Sequence, residues 1–211
     1  MNSDHLLTKY RAFAGRPRVP IIHFIEESLW QVPGIGESLV EPFMATAIMP
    51  KIRELFPKGR RKEWAVDLGC GYGNLTIMLA EIFSFVSGVD QCENKIRWAR
   101  SRWTDPAMEF HCANIADPLA GDMVDLVLTS TVLQHLNLED TIPVLQNIHR
   151  MLIPGGYYVA SEGRITREDH PDAQSMKQNH MFAKPLGLWE DIGFDLISIE
   201  GQLHVWAKKG K

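Results

Sequence analysis

The segment Val66-Asp67-Leu68-Gly69-Cys70-Gly71-Tyr72-Gly73-Asn74 sets three glycines at alternate positions behind an acidic residue. A turn built from residues without Cβ lets the backbone come close to a ligand. The stretch Leu75 to Ile82 that follows reads as a helix. Its first turn offers unpaired N–H groups and a positive dipole end to a carboxylate or phosphate. Roughly 20 residues on, Asp90 ends the strand-like run Ser84 to Val89, where a carboxylate can accept both hydroxyls of a ribose. Together the turn and the acid point to a nucleoside ligand. The competing reading of Asp90 is a helix N-cap ahead of Glu93-Asn94-Lys95.

Two details narrow the nucleoside. Counted from Gly69, the third glycine of a G-x-G-x-x-G dinucleotide fingerprint is replaced by Asn74. Asp67, two residues before the first glycine, would repel a pyrophosphate and attract an ammonium group. An amino-acid-bearing nucleoside is favoured over a nicotinamide dinucleotide.

The elements that must position these residues follow an alternating pattern. From Trp64 onward, short apolar runs alternate with helix-length amphipathic stretches, as βαβ units require. Strands are expected near 64–68, 85–90, 108–112, 124–129, 156–162, 195–200 and 203–208, and helices near 74–83, 93–103, 138–152 and 183–192. Pro154-Gly155-Gly156 is expected to stop the 138–152 helix. Gly201-Gln202 leaves no room for a crossover helix, so the last two strands must be antiparallel. Residues 1–62 offer helix-like stretches around 4–14, 20–31 and 38–56, punctuated by Pro17, Pro20, Pro33 and Pro57. They are read as an N-terminal helical segment capping the site, ahead of a catalytic domain at 63–211.

On these residues the chain resembles the class I S-adenosylmethionine-dependent methyltransferases, over roughly residues 64 to 208. Asp67-Leu68-Gly69-Cys70-Gly71-Tyr72-Gly73 corresponds to the family's first motif and Asp90 to its ribose-binding acid. The segment from Asp125 to Leu136 looks like the fourth strand and its turn, and Leu152-Ile153-Pro154-Gly155-Gly156 precedes the fifth. The resemblance implies an α/β fold: a Rossmann-like, seven-stranded, mostly parallel sheet with an antiparallel last strand and helices on both faces. It implies S-adenosylmethionine as cofactor and S-adenosylhomocysteine as product. By the same correspondence Gly69 and Gly71 contact the methionyl part with Asp67 nearby, Asp90 holds the ribose and Gln91 flanks the adenine. Asn114 and Ile115 meet the adenine edge, and Ser130 lies near the reactive end. Asn114 departs from the Asp common there, although its amide oxygen can still accept from the exocyclic amine.

Methyl transfer from a sulfonium is an in-line displacement, so the protein mainly aligns the nucleophile and, for some acceptors, removes a proton. His135, after the fourth strand, and Glu162, after the fifth, are the catalytic candidates, with a packed or capping histidine as the plain alternative for His135. The stretch Glu162 to Met181 is long for a loop and leaves the ligand-binding end of the sheet, which makes Glu162, Arg164, His170 and His180 candidate acceptor contacts. His170 and His180 with Asp169 lack metal-ligand spacing, so no metal is expected. Trp30, Tyr72 and Trp189 are read as core or interface aromatics before pocket ones.

Bulk properties bound the partners. The 211 residues suit one decorated domain, and a net charge of −4 gives nucleic acid no general attraction, so a small-molecule acceptor is favoured, with a protein acceptor open. Cys70, Cys92 and Cys112 form neither a disulfide framework nor a zinc pattern, and no segment has the length of a membrane span, which together point to the cytoplasm. The rival readings are a catalytically silent methyltransferase-like binding module and an NAD-dependent oxidoreductase.

Overall fold

The computed structural model describes residues 2–9, 44–117, 123–162, 165–166 and 184–210. Two compact units divide the chain: Met1–Gly15 with Arg61–Lys211, and Arg16–Arg60. In the second, a π-helical turn, Met44–Ile48, runs into helix α2, Met49–Leu55. The helix closes where the Phe56 N–H donates to the Ile52 carbonyl (3.0 Å), and the Arg60 guanidinium lies 5.3 Å from the Phe56 ring centroid. The first unit begins with α1, Ser3–Lys9, followed after the second unit by β1, Trp64–Leu68; α3, Asn74–Ala80; β2, Phe85–Asp90; α4, Glu93–Arg102; and β3, Met108–Cys112. It continues with β4, Val124–Ser130; α5, Leu138–Met151; β5, Leu152–Ser161; β6, Ile165–Thr166; and β7, Lys184–Pro185. Helix α6, Gly187–Ile192, and strands β8, Phe194–Glu200, and β9, Leu203–Lys208, complete it.

Seven strands form one sheet in the order β3-β2-β1-β4-β5-β9-β8. Strands β3, β2, β1, β4 and β5 are mutually parallel. Strand β9 is antiparallel to both β5 and β8, which makes β8 run with the others. The Rossmann-like architecture and the antiparallel terminal pair inferred from Gly201-Gln202 are therefore observed. Strand order reverses between β1 and β4, and the crevice beyond the carboxyl ends at such a switch point is where open α/β sheets bind ligands.

Alternation along β1 explains the two helix layers. Asp67 meets α3 through Thr76, while Val66 and Leu68 join the core that holds Ile142, Leu145 and Ile148 of α5. Asn137 caps α5 by accepting from the Asp140 N–H at 2.8 Å. Helix α1 docks on the same unit: the Ser3 hydroxyl donates to Gln146, and Lys9 pairs with Asp191.

Two element expectations need correction. Helix α5 ends at Met151, before Pro154, and β5 starts at once. Leu152 pairs with Val124 and Tyr157 with Leu126, so Ile153–Gly156 bulge out of the ladder. Gly156 is needed there because a Cβ would stand 3.0 Å from the Ile153 carbonyl oxygen and 3.2 Å from that of Asp125. The stretch expected as a helix over 183–192 is shorter: Lys184–Pro185 instead pairs in parallel with Ile165–Thr166, and only Gly187–Ile192 is helical.

Candidate functional site

The carboxyl ends of β1 and β2 carry the glycine turn and Asp90. Gly69, Gly71 and Gly73 all adopt positive φ, at 77°, 55° and 82°. Gly69 and Cys70 both donate N–H bonds to the Val89 carbonyl, at 2.7 and 3.0 Å, which folds the turn over the end of β2. The three glycines differ in surroundings. A Cβ on Gly73 would lie 2.7 Å from Phe110 and 2.9 Å from Trp103, and one on Gly69 would lie 2.3 Å from Val132 Cγ2. One on Gly71 would meet nothing within 4 Å. At Gly73 and Gly69 the space of a side chain is taken by neighbouring residues, whereas at Gly71 it is open.

Asp90 spans the cradle. Its carboxylate accepts from the Gly71 N–H at 3.0 Å and the Cys92 N–H at 2.8 Å, one bond to each oxygen. Each oxygen keeps a lone pair for a further donor. Asp90 is not the helix N-cap, a position held by Cys92; it ties down the turn before α4 and still has capacity for a diol.

Asp67 is buried, and Thr76 Oγ donates to its Oδ2 at 2.7 Å. Burial raises its pKa to about 7, opposed by the Thr76 hydrogen bond and reinforced by the charge of Asp90. A carboxyl in that state gains most from a cationic partner, which would restore its charge. Cys70 is not an activated thiol, because burial, then Asp67 and Asp90, push it well above its ordinary value.

The remaining cofactor candidates border the same end of the sheet. Gln91 follows Asp90 and is exposed. Asn114 and Ile115 follow β3, on a loop held by buried Asn147, whose amide donates to the Ile115 and Asp117 carbonyls at 3.0 and 2.7 Å. Asn114 Oδ1 accepts from the Ala116 N–H at 3.0 Å, so only one lone pair of that oxygen is left for an adenine. Ser130 ends β4 and precedes Thr131, a β-branched residue at φ 57°. Such a conformation is costly, and here the Thr131 N–H bond to Ser161 at 2.9 Å helps to hold it.

Beyond Thr131 the chain makes a short 3₁₀ turn, Leu133–His135. His135 is half-buried, and burial, followed by the charges of Lys184 and Lys95, lowers its pKa, which favours the neutral imidazole. Glu162 is buried, and its carboxylate accepts from the Val132 N–H at 3.1 Å and the Gln134 N–H at 3.3 Å. Sequence reasoning overlooked Thr76, Val132 and Lys184. Lys184 is 1% exposed, with Nζ donating to the Leu136 carbonyl at 2.5 Å. Lys-Pro at the head of an amphipathic stretch gives no sign of such burial.

Trp189 is core: fully buried, it stacks on Trp206 with centroids 5.4 Å apart. Tyr72 is half-buried and edge-on to Trp98 at 5.2 Å. Trp30, Arg164, Asp169, His170 and His180 lie outside the described residues. Among the described residues there is no cluster suited to a metal ion and no helix long and apolar enough to cross a membrane. A cleft of about 350 Å³ lined by Trp64, Ser87, Glu109, His111, Val124 and Met151 lies on the sheet face bearing Val66 and includes none of the glycine turn.

The fold is Rossmann-like, with the glycine turn and two carboxylates at the carboxyl ends of its parallel strands, and comparison with known proteins adds to this. Residues 66–160 match the methyltransferase domain family. A trans-aconitate 2-methyltransferase of Rhizobium rhizogenes is 36% identical over 88 residues, 39% of this chain and 34% of that protein. A protein of Mycolicibacterium smegmatis named as a probable S-adenosylmethionine-dependent methyltransferase is 28% identical over 144 residues, 66% of this chain and 54% of its own length. The chain thus spans between about a third and half of these relatives. In fold it is similar to the PH0226 protein of Pyrococcus horikoshii, with a TM-score of 0.67 at 17% identity over 88% of this chain and 99% of that one. The similarity is thus to a methyltransferase domain over residues 66–160, set within a Rossmann-like fold.

Proposed function

We propose that the protein transfers the methyl group of S-adenosylmethionine to an oxygen or nitrogen of a small or medium-sized acceptor. The observation that carries this reading is the cradle itself: an open-faced Gly71 between two carboxylates, one buried near neutrality and one with free lone pairs at the turn. These residues fit an ammonium-bearing nucleoside. Asp67 would hold its ammonium group, Gly69 and Gly71 would give its amino-acid part close backbone approach, and Asp90 would hold its ribose. Gln91, Asn114 and Ile115 would border the base, and Ser130 would lie toward the reacting end. When bound, the cofactor supplies an electrophilic sulfonium methyl.

The protein's own share of the chemistry is alignment, exclusion of water and, where the acceptor needs it, removal of a proton. His135 is the proton acceptor in this reading, its neutral form favoured by its surroundings. Glu162 is better assigned to the turn that carries His135, since its oxygens already receive backbone N–H groups. The net charge of −4 and the similarity to an enzyme named for trans-aconitate favour a small acceptor over nucleic acid. Unpaired Cys70, Cys92 and Cys112 fit a reducing, cytoplasmic setting.

The test is transfer of label from methyl-labelled S-adenosylmethionine to fractions of a cell extract and to a panel of small carboxylic acids, phenols and amines. Label in a small product, dependent on the protein and lost in Asp90→Ala, is the expected result. Cofactor binding without transfer to any fraction would favour the silent module.

A further inference from the structure

We infer that Glu162 and Lys184 are positioning residues that brace the turn Thr131–Leu136 from its two ends and so fix the imidazole of His135. The inference rests on the proton-acceptor role given to His135 above.

The turn is short, so its own hydrogen bonds are few: His135 and Leu136 donate N–H bonds to the Val132 and Leu133 carbonyls, both at 3.0 Å. Three further backbone groups of the turn are met by two buried charged side chains. At the leading end the Glu162 carboxylate accepts from the Val132 and Gln134 N–H groups. At the trailing end Lys184 Nζ donates to the Leu136 carbonyl. An anion thus faces the N–H groups and a cation the carbonyl, the arrangement that a turn's backbone dipoles favour.

Both side chains are only 1% exposed, and burial is the leading influence on both, raising Glu162 and lowering Lys184 to about 7. Burying a carboxylate and an ammonium is expensive, and an apolar residue of similar volume is often as stable or more so. A structural plug would therefore not need lysine. What the pair adds is a fixed place for the turn. The braces are themselves anchored to other strands: the Glu162 N–H donates to the Gln202 carbonyl at 2.9 Å, and Lys184 is paired in register with Ile165. On its other side the turn abuts the cofactor cradle, since Val132 Cγ2 occupies the space that a side chain at Gly69 would need. The charged groups bearing on His135 are Lys184 from β7 and Lys95 from α4, with Glu162 acting on Lys184 from the end of β5.

The test needs no knowledge of the acceptor. In Lys184→Met, NMR of the full chain should show the His135 imidazole titrating at higher pH, because a nearby cation is gone. Amide exchange at Gln134 and Leu136 should quicken at least about tenfold, a change of about 1.4 kcal/mol in local opening, while S-adenosylhomocysteine still binds within about threefold of the unchanged protein. Glu162→Gln should quicken exchange at Val132 and Gln134 and decides the matter by the same readings where Lys184→Met does not fold. An unchanged His135 titration with unchanged exchange in the turn would overturn the brace, and so would loss of S-adenosylhomocysteine binding with the turn intact. Failure of the unchanged protein to bind S-adenosylhomocysteine would instead count against the methyltransferase reading, with the His135 measurements still deciding the brace.

Discussion

Replacing Asp67 by Asn should strengthen the ligand-free protein while weakening its hold on the cofactor. The folded carboxyl titrates near pH 7 against 3.8 for an unperturbed one, a difference of about three units or roughly 4 kcal/mol. Because the folded state binds the extra proton between those values, the stability associated with Asp67 is present at low pH and is lost as pH rises through about 7. Above that, an ionised carboxyl is held in a buried site beside Asp90. The amide introduced by Asp67→Asn would keep an oxygen for the Thr76 hydroxyl and carry no charge. Urea unfolding of the ligand-free Asp67→Asn variant should therefore show a gain that grows from near zero at about pH 4 toward about 4 kcal/mol at about pH 8. Calorimetric titration with S-adenosylhomocysteine should show the reverse. Affinity of the unchanged protein should rise with pH up to about 7, and the variant should lose that slope and at least about tenfold in affinity, as expected for loss of a charge-assisted bond. A variant that is destabilised equally at all pH values, with unaltered affinity, would refute the reasoning.

Other outcomes follow from the same contacts. Asp90→Ala should cost only about 1–2 kcal/mol of stability, because the Gly71 and Cys92 N–H groups it releases can turn to water, but about 100-fold in S-adenosylhomocysteine affinity by calorimetry. Gly71→Ala should fold, at a backbone cost of about 1–2 kcal/mol, and lose cofactor binding, whereas Gly73→Ala adds a clash with Phe110 and Trp103 and should lose about 2–4 kcal/mol in a melting experiment. Asp125, buried and accepting from the Glu63 and Trp64 N–H groups at 3.0 Å each, should cost about 3 kcal/mol as Asp125→Ala in urea unfolding, with cofactor affinity unchanged in the molecules that remain folded. Lys184, lowered from 10.5 to about 7, makes the folded state bind fewer protons in that window, so stability gained as pH rises from 7 toward 10.5 should flatten in Lys184→Met.

How much of this was legible in the sequence depended on how local the cause was. The strand, glycine turn and acid of the cradle were readable because positive φ, apolar alternation and the spacing to Asp90 are properties of neighbouring residues. The antiparallel pair β8–β9 followed from the reach of the Gly201-Gln202 link alone. Pro154-Gly155-Gly156 was read as a helix stop, but which side of Met151 the strand began on was decided by pairing with β4, a long-range matter. The acceptor side was least legible. Glu162 stood out as an acid after β5, yet its role depends on the Val132 and Gln134 amides that tertiary packing brings to it. Lys184 carried no sequence signal, because an amphipathic stretch headed by Lys-Pro reads as exposed, whereas its burial against Leu136 goes with the long-range pairing to Ile165.

The central claim is that the Gly69–Gly73 turn, Asp67 and Asp90 form a site for S-adenosylmethionine. Titration of the purified chain with S-adenosylmethionine, S-adenosylhomocysteine and NAD, followed by calorimetry, tests it most directly. Micromolar binding of either adenosyl ligand, none of NAD, and a loss of about 100-fold in Asp90→Ala is the expected result. Binding of NAD alone, or of no ligand by a chain whose fold is intact, would contradict it.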